Sequence, residues 1–154
     1  MNFEKYTIKS QEALQKSAEI AMGNQQQAIE PAHVLKAVLE TDENVVSYLI
    51  KKLNVNRTLL DTRLAEVLKG YPRVTGQQPY LSSATNTLLQ QAEKERKEFK
   101  DEFIAVEHLL LAILHTTDNV SGLMKEVGFE RAGLSLDSVS EATARRDAAC
   151  CRRA

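Results

Sequence analysis

A long internal repeat runs through this sequence. The segment EPAHVLKAVL at 30–39 returns as AVEHLLLAIL at 105–114, which places His33 and His108 75 positions apart. The same shift superposes six further pairs of residues: Ile29 on Ile104, Leu35 on Leu110, Ala37 on Ala112, Leu39 on Leu114, Thr41 on Thr116 and Asn44 on Asn119. Upstream, Leu14, Ala18 and Glu19 match Leu88, Ala92 and Glu93 at a separation of 74, which predicts a one-residue difference between the copies. Because each repeat unit buries its apolar face against its neighbour, the duplication predicts the architecture.

The repeat predicts an all-α fold of eight helical segments, arranged as two tandem, pseudo-symmetric four-helix repeats packed into one domain. Apolar residues recur at helical spacing in both copies. We expect repeat one at about 6–70, a linker rich in Pro and Gly at 71–79, and repeat two at about 80–139. A unit of about 60 residues alone buries only a thin core, so the two copies should pack together.

Several residues predict where helices begin and end. The expected N-caps are Thr7, Asn44, Asn56 and either Ser82 or Ser83, with Asn119 opening a later helix. Pro31 suits the first position of a helix, where its missing N–H has no partner to lose. We expect Gly23-Asn24 and Gly70 to end helices.

Composition limits the class of protein. The 154 residues are 43% hydrophobic and 27% charged, as in one ordinary domain. A formal net charge of −1, with both signs interleaved, disfavours nucleic-acid binding. No apolar run approaches the roughly 20 residues that span a bilayer, and the N-terminus lacks an apolar signal core. We therefore expect a cytoplasmic, soluble protein with no membrane partner.

The C-terminal residues 140–154 continue no pattern of the repeat. They are rich in Ala and Arg and hold both cysteines, Cys150 and Cys151. Adjacent cysteines provide neither a disulfide framework nor a spaced metal site. We interpret this segment as an atypical tail, compatible with a non-native terminus, and leave it out of the fold.

Polar residues that could carry chemistry also have structural interpretations. His33, His108 and His115 invite a metal or general-base role, but the equivalent places of His33 and His108 favour a repeated capping or packing role, and no metal site is predicted. Glu30 and Glu107 lie near helix starts, where the helix dipole favours a carboxylate. The charged run at 93–102 is interpreted as a solvated helix face with paired charges, Asp101 excepted.

Signatures of an autonomous enzyme are absent from the sequence. It contains no phosphate loop G-x-x-x-x-G-K-[ST], no G-x-G-x-x-G, no G-x-S-x-G and no H-E-x-x-H. A binding module with a groove between its helical repeats is the favoured function class. A helical enzyme acting through Glu107 and His108 is a weaker alternative.

Four motifs resemble a known family. YTIKSQEAL at 6–14, IEPAHVL at 29–35, DEFI at 101–104 and VEHLL at 106–110 are similar to the N-terminal domain of the Clp (Hsp100) AAA+ chaperones. The resemblance covers about Met1 to Leu134. Within that family, KSQEAL at 9–14 and IEP at 29–31 most resemble the ClpB, or protein disaggregase, type.

The resemblance implies a function for the chain. Such a domain is joined by a mobile linker to two ATPase modules that form a hexameric ring; those modules, with their ATP and Mg, are absent here, and the fragment itself is expected to be a monomer without a cofactor. A ClpB-type domain engages unfolded or aggregated polypeptide and passes it to the ring, which works with the Hsp70 system. The alternative is an adaptor-docking domain of a ClpA or ClpC type unfoldase.

The resemblance also implies binding residues. The family's polar contact positions fall on Thr7, Asp101 and Glu107, and its apolar groove falls on Leu88 and Leu89. His108 lies beside the groove and departs from the family toward polarity. Leu88 and Leu89 are equally well interpreted as core residues. The N-cap role of Thr7 is compatible with client contact.

Overall fold

The structure, a computed structural model, describes residues 3–76 and 78–129. Within these ranges the chain forms seven α-helices, one short 3₁₀ helix at Phe3–Lys5 and two two-residue strands. The elements are α1 Ile8–Gly23, β1 Ala28–Ile29, α2 Pro31–Thr41, α3 Glu43–Leu53, α4 Arg57–Lys69, β2 Tyr80–Leu81, α5 Ser83–Glu98, α6 Val106–His115 and α7 Asn119–Glu126. The all-α prediction is confirmed. The predicted eighth helix, the end of repeat two at 139 and the tail at 140–154 lie outside the described residues.

Most of the predicted helix ends are confirmed. The side chains of Thr7, Asn56 and Ser82 each accept a hydrogen bond from a backbone N–H in the first turn of the helix that follows. Pro31 occupies the first position of α2, and Gly70 is the C-cap of α4. Gly23 is the last residue of α1.

One predicted cap is wrong by two positions. Asp42, not Asn44, caps α3, and its carboxylate accepts a hydrogen bond from the N–H of Val45 at 3.3 Å. Helix α7 begins at Asn119 as predicted, and Asp118 is its N-cap. A carboxylate is favoured at these places because it accepts hydrogen bonds from the free N–H groups and is attracted by the positive end of the helix dipole.

The predicted one-residue difference between the copies is also wrong. In α1 the buried polar and apolar positions include Ser10, Ala13, Leu14 and Ser17, and in α5 they include Thr85, Leu88, Leu89 and Ala92. These sets are related by a shift of 75, as are the N-caps Thr7 and Ser82. Burial therefore gives one register for both copies, and the residue identities at a shift of 74 do not reflect structural equivalence.

Short backbone pairings cross between the copies. β1 of the first copy pairs in parallel with β2 of the second, with Ala28 opposite Tyr80 and Ile29 opposite Leu81. An isolated bridge between Tyr6 and Ile104 is the same pairing with the copies exchanged. The copies are thus joined by two pairings that are related by the repeat, and we call these two places the ends of the domain.

Helix α6 lies at the centre of the core. Its residues from Val106 to Leu114 are all buried, and it contacts α1, α2, α5 and α7. A helix that is apolar on every side requires such an environment. Leu35 and Leu110, which occupy equivalent positions in the repeat, are both completely buried, so a charge at either place would lie in the core.

The charged run at 93–102 is predicted to be a solvated helix face, but not all of its side chains are exposed. The side chain of Glu95 is only 1% exposed. Its Oε1 lies 3.0 Å from Nε2 of His115 and accepts a hydrogen bond from Gln91. The run's other charges include exposed pairs such as Lys97 with Glu93. Within the described part of the chain, none of the helices has the length and apolar character needed to cross a bilayer.

Candidate functional site

The predicted polar site residues lie around the pairing of the N-terminal segment with the segment that precedes α6. We call the residues Lys5 to Ile8 and Asp101 to Ile104 the junction. Its two sides are held by hydrogen bonds from the N–H of Thr7 to the carbonyl of Ile104, at 3.0 Å, and from the N–H of Ile104 to the carbonyl of Lys5, at 2.6 Å. The junction therefore brings Thr7 and Asp101 to one end of the domain.

Thr7 is a half-buried helix cap. Its hydroxyl oxygen accepts a hydrogen bond from the N–H of Ser10 at 3.2 Å, and the hydroxyl lies 3.0 Å from Oγ of the same residue. The predicted capping role is confirmed.

His108 connects Asp101 to the start of α6. Nδ1 of His108 accepts a hydrogen bond from the N–H of Ala105 at 2.8 Å. In the neutral imidazole the proton is then on Nε2, which lies 2.9 Å from Oδ2 of Asp101. The side chain of Asp101 is 47% exposed, so the carboxylate faces solvent on one side and a buried histidine on the other.

His33 makes the equivalent contacts in the first copy. Its Nδ1 accepts from the N–H of Glu30 at 2.9 Å, and its Nε2 lies 2.6 Å from Oε1 of Gln26. Burial lowers the pKa of His33 from 6.5 to about 4, so the ring is neutral near pH 7. The prediction of a repeated capping and packing role for the two histidines is confirmed.

Four of the predicted contact residues are buried. Leu88 has no exposed surface, and Leu89 is 9% exposed. In the first turn of α6, Glu107 has no exposed surface and His108 is 1% exposed. The buried face of α5 is wide enough to include both leucines, because positions three and four residues apart in the stripe from Thr85 to Glu95 all point inward. The apolar groove that the family resemblance implies at Leu88 and Leu89 is thus not open in this structure, which favours their interpretation as core residues.

Two exposed apolar residues of the junction were not among the predicted site residues. Ile8 is 75% exposed and Phe103 is 43% exposed, and each is the chain neighbour of a residue that makes the backbone bonds of the junction. The sequence indicates the exposure of Ile8, because this residue lies outside the apolar stripe of its helix. Phe103 follows two acidic residues in the DEFI motif, and nothing in that spacing indicates its exposure.

The junction can bind a chain without covalent chemistry. It presents two apolar side chains, the hydroxyl of Thr7, and the exposed carboxylates of Asp101 and Glu102. Among the residues that the structure describes, no three His, Cys, Asp or Glu side chains are grouped as metal ligands would be.

A separate polar depression of about 360 Å³ lies between α1 and α2. It is lined by Glu12, Gln15, Lys16, Glu19, Glu40 and Thr41. None of these residues belongs to the junction, and this depression contains none of the predicted site residues.

Comparison with known proteins gives a consistent assignment. Residues 5–127 match the family described as the Clp repeat (R) N-terminal domain. The chaperone protein ClpB of Porphyromonas gingivalis is 43% identical over 128 residues, which cover 83% of this chain and 15% of that protein. ClpB of Bacteroides thetaiotaomicron is 41% identical over 128 residues, with the same coverage of 83% and 15%. The chain thus spans about 15% of the length of these relatives.

Solved structures share the fold. The Hsp104 N-terminal domain from Candida albicans superposes with a TM-score of 0.72 at 21% identity, covering 90% of this chain and 89% of that one. The N-terminal domain of the ClpV1 ATPase from E. coli superposes with a TM-score of 0.75 at 23% identity, covering 86% and 82%. At these identities the similarity establishes the all-α fold alone.

Proposed function

This chain belongs to the Clp repeat N-terminal domain family, as a ClpB-type domain of an Hsp100 chaperone, and we propose that it is the substrate-recognition domain of a protein disaggregase. In this proposal it binds unfolded or aggregated polypeptide and passes it to an AAA+ ring. The observation that carries the proposal is the junction, where exposed apolar side chains lie beside exposed carboxylates.

The chemistry of the junction suits an unfolded client. Such a client exposes apolar side chains and unpaired backbone groups, which a folded partner has buried. Ile8 and Phe103 can cover the apolar side chains, while Thr7 and Asp101 can bond to the backbone or to cationic side chains. The patch is small, so we expect weak and reversible binding, as transfer to a ring requires.

The rest of the proposed pathway depends on segments that this chain does not contain. The parent protein would carry AAA+ modules that bind ATP and Mg, assemble as a hexamer and work with the Hsp70 system. We propose a cytoplasmic location and no cofactor for the domain itself. A catalytic role for Glu107 and His108 is disfavoured because both side chains are buried; turnover that Glu107→Gln abolishes would contradict this.

Binding of a permanently unfolded chain tests the proposal. The probe is fluorescently labelled, reduced and carboxymethylated α-lactalbumin, measured by fluorescence anisotropy against the isolated domain. We expect the double variant Ile8→Ser and Phe103→Ser to bind several-fold more weakly, since both side chains are exposed and their removal leaves the core intact. Met22→Ser, at the other end of α1 and 61% exposed, is the matched control.

Two outcomes would contradict the proposal. One is no binding of the probe by the wild-type domain, and the other is wild-type affinity in the folded double variant. The adaptor-docking alternative makes a different prediction. A domain of that type retains one folded partner in a stoichiometric complex and discriminates against unfolded chains.

A further inference from the structure

An ion pair on α5 contacts both sides of the junction. Nε of Arg96 lies 3.0 Å from Oε2 of Glu93, and Nη2 lies 2.7 Å from Oε1, which is the two-point geometry of a strong guanidinium–carboxylate pair. Both side chains are mostly covered, with 17% and 23% of their surface exposed. Arg96 lowers the pKa of Glu93 to about 2, mainly through this hydrogen bond, so the pair is charged at any pH near neutrality.

Arg96 also fixes the loop that carries Asp101. Its Nη1 donates to the carbonyl of Asp101 at 2.8 Å and, more weakly, to the carbonyl of Glu102 at 3.4 Å. The N–H of Asp101 in turn donates to the carbonyl of Arg96 at 3.0 Å. Both backbone polar groups of Asp101 are therefore held by one residue, which fixes the direction in which its side chain leaves the backbone.

Glu93 extends the same network to the other side of the junction. Nζ of Lys5 lies 3.6 Å from Oε1 of Glu93. The carbonyl of Lys5 accepts the hydrogen bond from the N–H of Ile104, next to the exposed Phe103. Through the Glu93–Arg96 pair, the N-terminal segment and the loop before α6 are tied to the same turn of α5.

The other end of the molecule has no counterpart of this pair. At the repeat shift of 75, Glu93 corresponds to Ala18 and Arg96 to Ala21. The counterpart of Asp101 is Gln26, a buried residue whose Nε2 donates to the carbonyl of Leu68. The two ends therefore share a backbone geometry but differ in what holds it and in what they present to solvent.

We propose that the Glu93–Arg96 pair is a positioning element of the client site, which orients Asp101 and restricts client binding to one of the two pseudo-symmetric ends. The proposal rests on the proposed function. Its positioning step is a property of the domain alone and can be measured without a client.

Hydrogen exchange measures the positioning step. In Arg96→Ala we expect the amide protons of Asp101 and Ile104 to exchange about tenfold faster, while the core of α6, at Leu110, exchanges as in the wild type. Arg96→Lys keeps the charge but cannot bond to a carboxylate and two carbonyls together, so we expect an intermediate effect. Arg63→Ala is the matched control, because Arg63 on α4 pairs with Glu66 and Glu126 away from the junction.

Binding of the unfolded probe measures how the positioning of Asp101 affects affinity for a client. We expect Arg96→Ala to bind reduced, carboxymethylated α-lactalbumin about tenfold more weakly, since a site whose supporting contacts are lost becomes imprecise, and Arg63→Ala to bind it normally. Unchanged exchange at Asp101 and Ile104 in Arg96→Ala overturns the positioning role, whatever the binding. Faster exchange with unchanged affinity overturns the link to the client site. Absence of binding by the wild-type domain overturns the proposed function, and the exchange data still decide the positioning role.

Discussion

Oδ2 of the exposed Asp101 lies 2.9 Å from Nε2 of the buried His108. In the first copy the same place is taken by Gln26, whose Oε1 lies 2.6 Å from Nε2 of His33. One local structure is thus completed by a buried neutral amide at one end of the domain and by an exposed carboxylate at the other. The two ends of the pseudo-symmetric fold therefore present different chemical groups.

Asp101→Asn tests the contribution of that carboxylate. The amide has nearly the size of the carboxylate and can keep its place beside Nε2 of His108, so we expect the free energy of unfolding to change by less than about 1 kcal/mol. Affinity for the unfolded probe should become less sensitive to salt, because one exposed charge of the junction is removed. Anisotropy titrations at low salt and at about 1 M, where the Debye length is about 3 Å, measure this effect.

Asp61→Asn is the control for this prediction, because Asp61 is an exposed aspartate of α4 that pairs with Arg57. It should leave the salt dependence of binding unchanged. If Asp101→Asn binds with the salt dependence of the wild type, the carboxylate takes no part in client binding.

His33 predicts a pH dependence of stability. Its pKa falls from 6.5 in the unfolded chain to about 4 in the folded domain because the ring is buried. The unfolded state therefore binds the proton first as pH falls. The contribution of His33 to stability is complete above pH 6.5 and is lost between 6.5 and about 4, by about 3 kcal/mol in total.

Urea unfolding across this pH range measures the effect of His33. In His33→Gln the slope of unfolding free energy against pH should decrease by about one proton relative to the wild type. His115→Gln removes a more exposed histidine and serves as the comparison. Equal slopes for the wild type and His33→Gln would show that His33 titrates normally in the folded domain.

Truncation of Leu88 tests whether this residue lies in the core or lines a binding groove. Because the side chain has no exposed surface, Leu88→Ala should leave a cavity and reduce the free energy of unfolding by about 2 to 5 kcal/mol. Leu59→Ala, at a partly exposed position of α4, should cost much less. A Leu88→Ala domain with wild-type stability in urea would contradict the buried placement.

Lys100 predicts a stabilising substitution. This residue follows α5 with φ of 56°, in the left-handed region that disfavours residues with a Cβ. Lys100→Gly should raise the free energy of unfolding by about 0.5 to 1 kcal/mol, whereas Lys94→Gly, inside the same helix, should lower it by about 1 kcal/mol. Thermal or urea unfolding of the two variants gives the comparison, and destabilisation by both would contradict the prediction.

The helices were predictable because their signals are local. Caps such as Thr7 and Asn56, the proline at the start of α2 and the apolar stripes all act within a few residues of one another. The error at Asn44 was of the same local kind, since the nearby Asp42 takes the cap. The histidines at equivalent places in the two copies likewise predicted a helix cap that is repeated in both.

The candidate site was only partly predictable. The resemblance to a family indicated Thr7 and Asp101, which lie at the junction, together with four residues that are buried: Leu88, Leu89, Glu107 and His108. A residue's exposure depends on which faces of several helices meet, and a stripe of apolar residues does not reveal whether it faces the core or a groove. Ile8 and Phe103 were missed for the same reason.

From its sequence alone, the chain was determined to be a duplicated, all-α protein with most of its helix boundaries, because periodicity and capping are contained in short segments. Tertiary structure alone decided that Tyr6 pairs with Ile104 and that Arg96 holds the loop of Asp101. It also decided that Leu88 and Leu89 are buried in the core instead of lining an open groove. The pairing of Tyr6 with Ile104 joins residues 98 positions apart, and such pairing depends on how the two copies pack, which no local pattern specifies.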